Sequence, residues 1–426
     1  MISLPLLPFE ESPNPVAFGA LLVPVVLVGL DRLERPARRA SRTFLIVSLA
    51  IVLVVGAYVA WLVAASVQDP PEFDFLASWI PARAAAHGLN FYDPRSLAIP
   101  RSAYSPDFRA EILDVGYWYP PTTMLLALPI GLLPVHEAAL VWYLLQLAAM
   151  IASAVLLWRA FLSNAGPAGL AGCAALVLLL RTTLSTLGYG QTNFIELLCL
   201  LGLWVDRERP RGGVWLALAI VIKPFALALG AFLVIRRRWS GLAATLATLA
   251  ALVIAATVMF GPATCAAYVR SNPVSRLPDY VYSQDVNDSL WGMLLRMRGL
   301  DESPLGSHVR SETIVAGVVV LALTGWAALR RALDDSLLYA LVLVAGLMLY
   351  PGSLEHYSVL LLLPLLMVWA RPEVVPGGRR TLGAVMVLTY LLIGLGYEEV
   401  FWAYGLLWAG LLALAARGGR PRRVAA

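Results

Sequence analysis

The sequence predicts an all-α polytopic membrane protein with about 12–13 membrane helices and two larger extracytoplasmic loops. Hydrophobic residues make up 60% of the chain and charged residues only 14%, whereas a soluble domain has roughly 25% charged residues. The uncharged run Phe44–Ser66 is long enough to cross about 30 Å of hydrocarbon as a helix. Similar runs recur to the C-terminus, so we expect a bundle of membrane helices.

The apolar runs give the candidate membrane segments in chain order. They are residues 15–31, 44–66, 119–134, 137–158, 168–187, 191–206, 214–235, 241–262, 313–331, 336–353, 356–370, 381–396 and 400–416. The first is short and contains Pro24, which leaves open whether it crosses the membrane or lies on it. The first residues include Glu10 and Glu11 and no basic stretch, so we predict no signal peptide.

The arginines predict which side each loop lies on. They cluster in short segments between apolar runs, the pattern of cytoplasmic loops, which also argues against a nucleic-acid partner despite the net charge of +5. Counting crossings places loops of roughly 67–118 and 263–312 on the extracytoplasmic face. Residues 206–213, "DRERPRGG", look cytoplasmic but count as external. A broken or re-entrant helix near "LSTLGYGQTN" or Pro224 would remove this conflict.

The domain organisation follows from the same count. Residues 1–43 form an N-terminal extension with a basic cytoplasmic loop, 44–416 form one continuous membrane domain, and 417–426 form a basic cytoplasmic tail. The three cysteines have no spacing that indicates a disulfide framework or a metal site. No HExxH, Walker A or GxSxG motif occurs, which argues against a metallohydrolase, an ATPase or a serine hydrolase.

The first loop interleaves carboxylates with aromatic residues, a combination that suits a carbohydrate ligand. Asp74 stands out because a carboxylate held partly out of water can act as a general base. Two other interpretations remain open: Asp74 can N-cap the helix that follows it, and the aromatic residues can form an interfacial belt. Glu72 and Asp93 in the same loop have no assigned role.

Further candidates are ionisable residues inside apolar runs. Lys223 is the one lysine of the chain, and an ammonium there needs a partner such as a phosphate unless it snorkels to the interface. Arg181 and Glu196 also lie inside apolar runs. A mutual ion pair is the simplest explanation for these two charges, and contact with a ligand is the alternative. Asn287-Asp288-Ser289 beside Trp291 combines hydrogen-bonding groups with an aromatic ring, but it is also an ordinary helix start.

A series of motifs over roughly residues 44–400 resembles one family. The acidic "FDFLASW" is followed by "GLNFYDP", "YWYPPTTMLLALPIGLLP", "GYGQTNFIELLCLLGLW", "GVWLALAIVIKPFALALGAFLVIRRRW", "NDSLWGMLLR" and "HYSVLLLLPLL". In this order they resemble glycosyltransferase family 87, the bacterial polyprenol-phosphate-mannose-dependent α-mannosyltransferases of the GT-C superfamily. Each motif is loose, but their order and spacing together are fairly specific.

The resemblance implies a GT-C fold in the cell membrane, with an extracytoplasmic active site and an inverting reaction. Asp74 would be the catalytic base, His356 a second catalytic residue, and Lys223 and Arg181 would bind the donor phosphate. The predicted sugar or acceptor contacts are Trp79, Tyr92, Tyr119, Gln191, Asn193, Asn287, Asp288 and Glu355. Relatives often read Asn-Gln-Ser where this chain has Asn287-Asp288-Ser289, so this chain carries an additional charge at that position.

The implied partners are a polyprenyl-phosphate-mannose or similar lipid-linked sugar, a glycolipid or glycan acceptor and the lipid bilayer. We expect no cofactor and no metal, because phosphate is a good leaving group and no DxD-like site is visible. A transporter or flippase of lipid-linked sugars is the main alternative, although visible inverted repeats are absent and most carboxylates sit in loops. Transfer of glucose or arabinofuranose is the alternative within the enzyme class.

Overall fold

The computed structural model describes residues 17–33, 38–71, 74–97, 117, 119–271, 285–299, 310–330, 333–396 and 399–417. Glu72, much of both predicted loops and residues 418–426 of the predicted tail lie outside these ranges. The regular secondary structure within them is helical, apart from an isolated antiparallel β-bridge between Asn287 and Leu354. The predicted all-α polytopic membrane fold is therefore confirmed.

Most of the helices overlap the predicted segments, and others lie in the predicted loops. They are α1 (Ala17–Leu33), α2 (Arg38–Gln68), α3 (Phe75–Ala86), α4 (Pro121–Gly131), α5 (Val135–Leu157), α6 (Gly166–Leu179), α7 (Arg181–Gly188), α8 (Asn193–Val205), α9 (Pro210–Ile222), α10 (Leu229–Ile235), α11 (Trp239–Phe260), α12 (Pro262–Ser271), α13 (Leu290–Arg298), α14 (Arg310–Leu329), α15 (Asp335–Leu349), α16 (Leu362–Trp369), α17 (Arg379–Leu395) and α18 (Val400–Ala416). Short 3₁₀ helices, Pro224–Ala228 and Glu355–Leu361, precede α10 and α16.

Four helical stretches among the described residues are long and apolar enough to cross a membrane: Arg42–Gln68, Val135–Leu179, Trp239–Phe260 and Ser311–Leu329. Their outer faces are strongly apolar; Val258 on α11, for example, is 82% exposed. Large apolar side chains in this position are solvated by lipid instead of water. The shorter apolar helices pack between these four and carry the polar breaks described next.

The chain breaks at both places where the sequence allowed it. Segment 214–235 breaks at Lys223, whose backbone is extended (φ −143°, ψ 113°) because Pro224 disfavours a helical conformation in the preceding residue. Near "LSTLGYGQTN", α7 ends at Gly188 and α8 begins at Asn193. Gly190 between them has φ +73°, a conformation that favours glycine. Both breaks place polar residues inside the bundle.

Ion pairs at one end of the bundle show that segment 214–235 is a hairpin. Arg238, just after α10, contacts Glu208, just before α9, and both Arg236 and Arg238 pair with Asp335. The two ends of the segment therefore lie together, and its apex is Lys223. Because α9 has 13 residues, the apex lies about 20 Å from these ion pairs. We call the end with these ion pairs the charged end.

Segment 119–134 does not cross the bundle either. His136 Nδ1, at the start of α5, lies 3.1 Å from the Val67 carbonyl oxygen near the end of α2. Since α4 has 11 residues and is about 16 Å long, the chain between α2 and α5 stays at one end. The prediction that 119–134 and 214–235 are separate crossings is wrong. With both corrected, residues 206–213 lie at the same end as residues 236–238, and the conflict in the count disappears.

An aromatic core fixes the helix that follows the first loop. Phe75, Leu76, Trp79 and Ile80 of α3 are buried against α4 and α5. At the opposite side of this packing, the Arg83 guanidinium donates to the Gly131 carbonyl oxygen at 3.0 Å. Residue 74, which begins α3, is therefore held in a defined position at the end of the bundle away from the charged end.

Candidate active site

A cavity of about 500 Å³ lies where α3, α4, α5, α8 and α9 meet. Its polar lining is Asp74, Ser78, Tyr117, Tyr119, Thr123, Gln191 and Thr192. Its apolar lining includes Leu126, Ala127, Leu145, Ala148, Ala149, Ala152, Ile195, Leu198 and Ile222. The polar groups gather near the start of α8, and the apolar ones continue along α5 and α8. The cavity is therefore polar at one end and apolar along its length.

Asp74 occupies the N-cap position of α3, but its side chain makes no capping hydrogen bond. The carboxyl group lines the cavity instead. Protein nevertheless surrounds most of this carboxyl group, and this burial raises the pKa of Asp74 from 3.8 to about 6. A hydrogen bond from Gln191 and the charge of Lys223 limit the rise. Asp74 is thus a carboxylate at neutral pH with an increased proton affinity, as a general base requires.

Lys223 lies behind the cavity wall. Its side chain is 1% exposed and is not among the groups that line the cavity. The Nζ atom donates to Gln191 Oε1 at 3.3 Å and lies 3.4 Å from the centre of the Tyr357 ring. A buried ammonium is stabilised by such contacts. Snorkelling to the interface is therefore not how this lysine is accommodated.

Arg181 pairs with Glu355 and not with Glu196. Its Nη2 atom lies 3.3 Å from Glu355 Oε2, and its Nε donates to the Ile393 carbonyl oxygen at 2.7 Å. The predicted Arg181–Glu196 ion pair is wrong, because α7 and α8 are separated by the Gly190 break and the two side chains find different surroundings. Glu196 is fully buried, and neither of its oxygens has a hydrogen-bond partner among the described residues.

The Asn287-Asp288-Ser289 stretch is a helix start, as one interpretation predicted. Ser289 caps α13 by accepting from Gly292 N, and Asn287 Oδ1 accepts from the Ser289 hydroxyl at 2.7 Å. Asp288 is different: it is fully buried, and neither carboxylate oxygen has a hydrogen-bond partner in the described part of the chain. Burial and the nearby Glu355 raise the pKa of Asp288 well above its ordinary value.

The other predicted contacts divide into two groups. Tyr119 and Gln191 line the cavity. Trp79 and Tyr92 lie in the aromatic core, where the Trp79 indole donates to the Leu133 carbonyl oxygen and the Tyr92 hydroxyl to the Tyr119 carbonyl oxygen. Those two polar groups are therefore already used by the fold.

Asn193 and His356 pack together beside the cavity. The Asn193 amide donates to the His356 carbonyl oxygen at 2.9 Å, and the His356 ring is buried with Nε2 unpartnered among the described residues. His356 is therefore buried beside the residue that begins α8, and it is not among the groups that line the cavity. The charge of Lys223 acts on His356 as well.

Three supporting residues escaped the sequence analysis. The Trp142 indole donates to the Gly190 carbonyl oxygen at 2.7 Å, and the Thr123 hydroxyl donates to the Val221 carbonyl oxygen at 2.6 Å. Tyr357 supplies the ring beneath Lys223. Each contact joins residues at least 48 positions apart in the chain, so no local pattern in the sequence could reveal it.

Among the described residues, no group of three or more His, Cys, Asp or Glu side chains could hold a metal ion.

The fold and the site together define a class of protein: a helical membrane protein with a carboxylate-bearing cavity that is polar at one end and apolar along its side. A model of glycosyltransferase family 87 matches residues 117–364, which is more than half of the chain. The chain belongs to glycosyltransferase family 87 and is a membrane glycosyltransferase. The matched region includes Gln191, Lys223 and His356, whereas Asp74 precedes it. No curated protein matches the chain.

Proposed function

We propose that this glycosyltransferase moves mannose from a polyprenyl-phosphate donor to a hydroxyl group of a glycolipid or polysaccharide acceptor. The configuration at the anomeric carbon inverts in the reaction. The observation that carries the proposal is the cavity, which combines the Asp74 carboxylate at its polar end with an apolar cleft along its side. A sugar joined to a lipid through phosphate has the same division into a polar head and an apolar chain.

The geometry of α5 supports a lipid chain in the cleft. Trp142 contacts Gly190 at the level of the polar groups, and Ala152 lies ten residues further along the helix, about 15 Å away. Leu145, Ala148 and Ala152 follow the spacing of one helix face, and Leu145 is 51% exposed on the side of the bundle that faces lipid. The cleft therefore opens sideways, where a lipid chain could enter from the bilayer.

The polar end suits the phosphate and the sugar. Helices α4 and α8 both begin there, at Pro121 and Asn193, next to the cavity residues Tyr119 and Thr192. A helix N-terminus carries a partial positive charge that favours anions. Direct phosphate binding by Lys223 and Arg181 stays a prediction from the charges of these residues; neither side chain lines the cavity, and both are already paired within the protein.

In the reaction, Asp74 takes the proton from the acceptor hydroxyl as that oxygen forms a bond to C1 of the sugar. The bond between C1 and the phosphate oxygen breaks on the opposite face of the ring, and the lipid phosphate leaves with the electron pair. One displacement inverts the anomeric carbon. Because phosphate is a good leaving group, the protein mainly holds the two substrates in line and stabilises the developing charge.

We further propose that the site faces the extracytoplasmic side of the cell membrane. The arginine-rich segments 206–211 and 236–238 lie together at the charged end, and the positive-inside rule assigns such an end to the cytoplasm. Asp74 lies at the other end of the bundle. The variant Asn90→Cys places a cysteine at an exposed position of that end. This cysteine should react with a membrane-impermeant maleimide in intact cells.

Purified protein incubated with polyprenyl-phosphate-[14C]mannose and a membrane lipid extract tests the proposal. We expect labelled product from wild type and a loss of about 10²–10⁴-fold in kcat for Asp74→Ala. Asp93→Ala is the matched control, because among the described residues this loop aspartate lies outside the cavity lining and its side chain accepts from the Arg95 N–H. Its activity should stay within twofold of wild type.

Parallel reactions with the corresponding glucose and arabinofuranose donors identify the sugar. Product from one of these donors alone would overturn mannose but retain the mechanism. Absence of product with all three would contradict transfer from a lipid phosphate, and equal rates for Asp74→Ala and wild type would remove Asp74 as the base.

A further inference from the structure

We infer that Gln191 is the positioning residue of the Asp74 carboxylate, and that Lys223 acts on the reaction through Gln191 without contacting the donor. The inference rests on the proposed function, because it concerns the base of that reaction. In this inference the Gln191 side chain interacts with the base and not with the sugar. The Lys223 side chain interacts with protein groups and not with the phosphate.

The orientation of the Gln191 amide follows from its two neighbours. Its Oε1 atom accepts from Lys223 Nζ at 3.3 Å. An ammonium can only donate, so the amide oxygen must face Lys223 and the NH₂ group must point elsewhere. Gln191 and Asp74 line the same cavity, and the Gln191 side chain favours the ionised form of the Asp74 carboxyl. A carboxylate can only accept, so a hydrogen bond between the two has the NH₂ group as its donor. Lys223 thereby fixes which face Gln191 turns to Asp74.

The backbone around Gln191 is equally constrained. Gln191 N donates to the Thr186 carbonyl oxygen at 2.8 Å, and the Gly190 carbonyl oxygen accepts from the Trp142 indole at 2.7 Å. A Cβ atom at Gly190 would lie 2.9 Å from the Cβ of Phe75, the residue next to Asp74. The turn that carries Gln191 therefore packs directly against the start of α3, and the two hydrogen-bonding partners are held at a fixed separation.

The surroundings of Lys223 leave it little freedom to reach the cavity. Its ammonium lies over the Tyr357 ring, and the charges of Asp74 and Glu196 attract it from α3 and α8. The buried His356 is a further neighbour. Turning Nζ toward a donor phosphate would break the contacts with both Gln191 and Tyr357. A fixed ammonium behind an amide can still polarise that amide and strengthen its bond to Asp74.

The arrangement has a chemical consequence for the base. A hydrogen bond from Gln191 would hold one carboxylate oxygen and leave the remaining lone pairs to face the cavity that Asp74 lines, where the acceptor hydroxyl would lie. The same bond offsets part of the effect of burial on the Asp74 pKa. Tyr143 and Tyr357 are the other titratable side chains whose electrostatic interaction with Asp74 is evident.

A double-mutant cycle tests the inference. The variants are Gln191→Leu, Lys223→Met and the two together, each compared with wild type for kcat, for the donor and acceptor KM, and for the pH profile of kcat/KM. We expect Gln191→Leu to lower kcat at least tenfold with the donor KM within twofold. The acidic limb of its pH profile should move to higher pH, because a hydrogen bond to the carboxylate is lost.

Lys223→Met should shift the same limb in the same direction, because its charge also acts on Asp74 directly. On the plateau above that limb, where Asp74 is ionised, the double variant should be no slower than Gln191→Leu alone, because a residue that acts through Gln191 has no further effect once Gln191 is gone. Multiplicative losses, or a donor KM raised tenfold by Lys223→Met with an unmoved pH limb, would overturn the inference and make Lys223 a phosphate ligand. Gln191→Glu keeps a partner for Lys223, and it replaces Gln191→Leu if that variant does not fold. It places a second carboxylate against Asp74, so its pH limb should also move upward, and an unmoved limb would contradict the inference.

Wild type serves as the control that separates the two proposals. If wild type transfers no sugar from a lipid-phosphate donor, the proposed function fails. If wild type transfers sugar and the cycle is additive, only the positioning role of Gln191 and the indirect role of Lys223 fail.

Discussion

The pH dependence of transfer gives the sharpest test of Asp74, because its pKa differs from that of an ordinary aspartate. Burial raises the pKa of this carboxyl from 3.8 to about 6. The base must be ionised to accept a proton, so the rate should fall as the pH falls through about 6. An exposed aspartate with the ordinary value would show no such loss above pH 5.

The size of the effect follows from the ionised fraction. With a pKa of about 6, roughly 91% of Asp74 is ionised at pH 7 and roughly 9% at pH 5, so kcat/KM should fall about tenfold between the two. With a pKa of 3.8, roughly 94% would still be ionised at pH 5 and the rate would be unchanged. The two cases are thus easy to tell apart.

The direction of the accompanying stability change separates catalysis from unfolding. The pKa of Asp74 is higher in the folded protein than in the unfolded chain, so the folded protein binds this proton more tightly. As the pH falls from about 6 toward 3.8, protonation of Asp74 therefore favours the folded state. A loss of rate at pH 5 is not an unfolding effect of this residue.

The assay measures initial rates at subsaturating donor from pH 5 to pH 8, with thermal unfolding of the same samples as a control. The donor is a phosphodiester and does not titrate in this range, so the acidic limb reports on the enzyme. A profile that is flat down to pH 5 would refute the reasoning, because it would mean that the base has an ordinary pKa or is another group.

Two further predictions concern the cleft and the hairpin. Ala148→Trp narrows the apolar cleft, so we expect it to raise the KM for a long-chain donor about tenfold relative to the KM for a short-chain donor. Leu144→Trp, on the lipid-facing side of α5, should change neither KM. Gly213→Ala places a Cβ 1.9 Å from the Gly241 carbonyl oxygen and should destabilise the α9–α11 contact by about 1–3 kcal/mol. Gly230→Ala meets no atom within 4 Å and should leave the unfolding temperature unchanged or slightly raise it.

Composition and apolar run length predicted the helices well, because a lipid environment leaves few alternatives to a helix. The number of crossings was harder to predict. An apolar run of 22 residues, such as 214–235, can be one crossing or a hairpin of two short helices, and hydropathy is the same for both. The deciding contacts, such as Arg238 with Glu208, join residues 30 positions apart.

The candidate site was predicted unevenly for a similar physical reason. Lys223 stood out as a charge in an apolar run and Asp74 as a carboxylate among aromatic residues in a loop, and the structure brings the two charges close enough to interact. The partners that make each charge tolerable were not recognisable. Arg181 was paired with the wrong carboxylate, and the contacts of Lys223 with Gln191 and Tyr357 were missed. Polar partners of a buried charge are ordinary residues until the fold brings them together.

The hairpin explains how the chain keeps an ammonium inside the bundle at all. Lys223 stands at its apex, at the C-terminus of the 13-residue helix α9, where the helix dipole favours a positive charge. In the middle of a membrane-crossing helix, the backbone carbonyl groups around a lysine would already be hydrogen-bonded within the helix. The helix dipole would not stabilise the charge there, because it acts at the helix ends. The extended backbone at the apex also turns the side chain toward Gln191 and Tyr357. Pro224 ends α9 and thereby sets the extended backbone at Lys223. The break in the helix, the burial of the charge and the orientation that we infer for the base therefore all depend on Pro224.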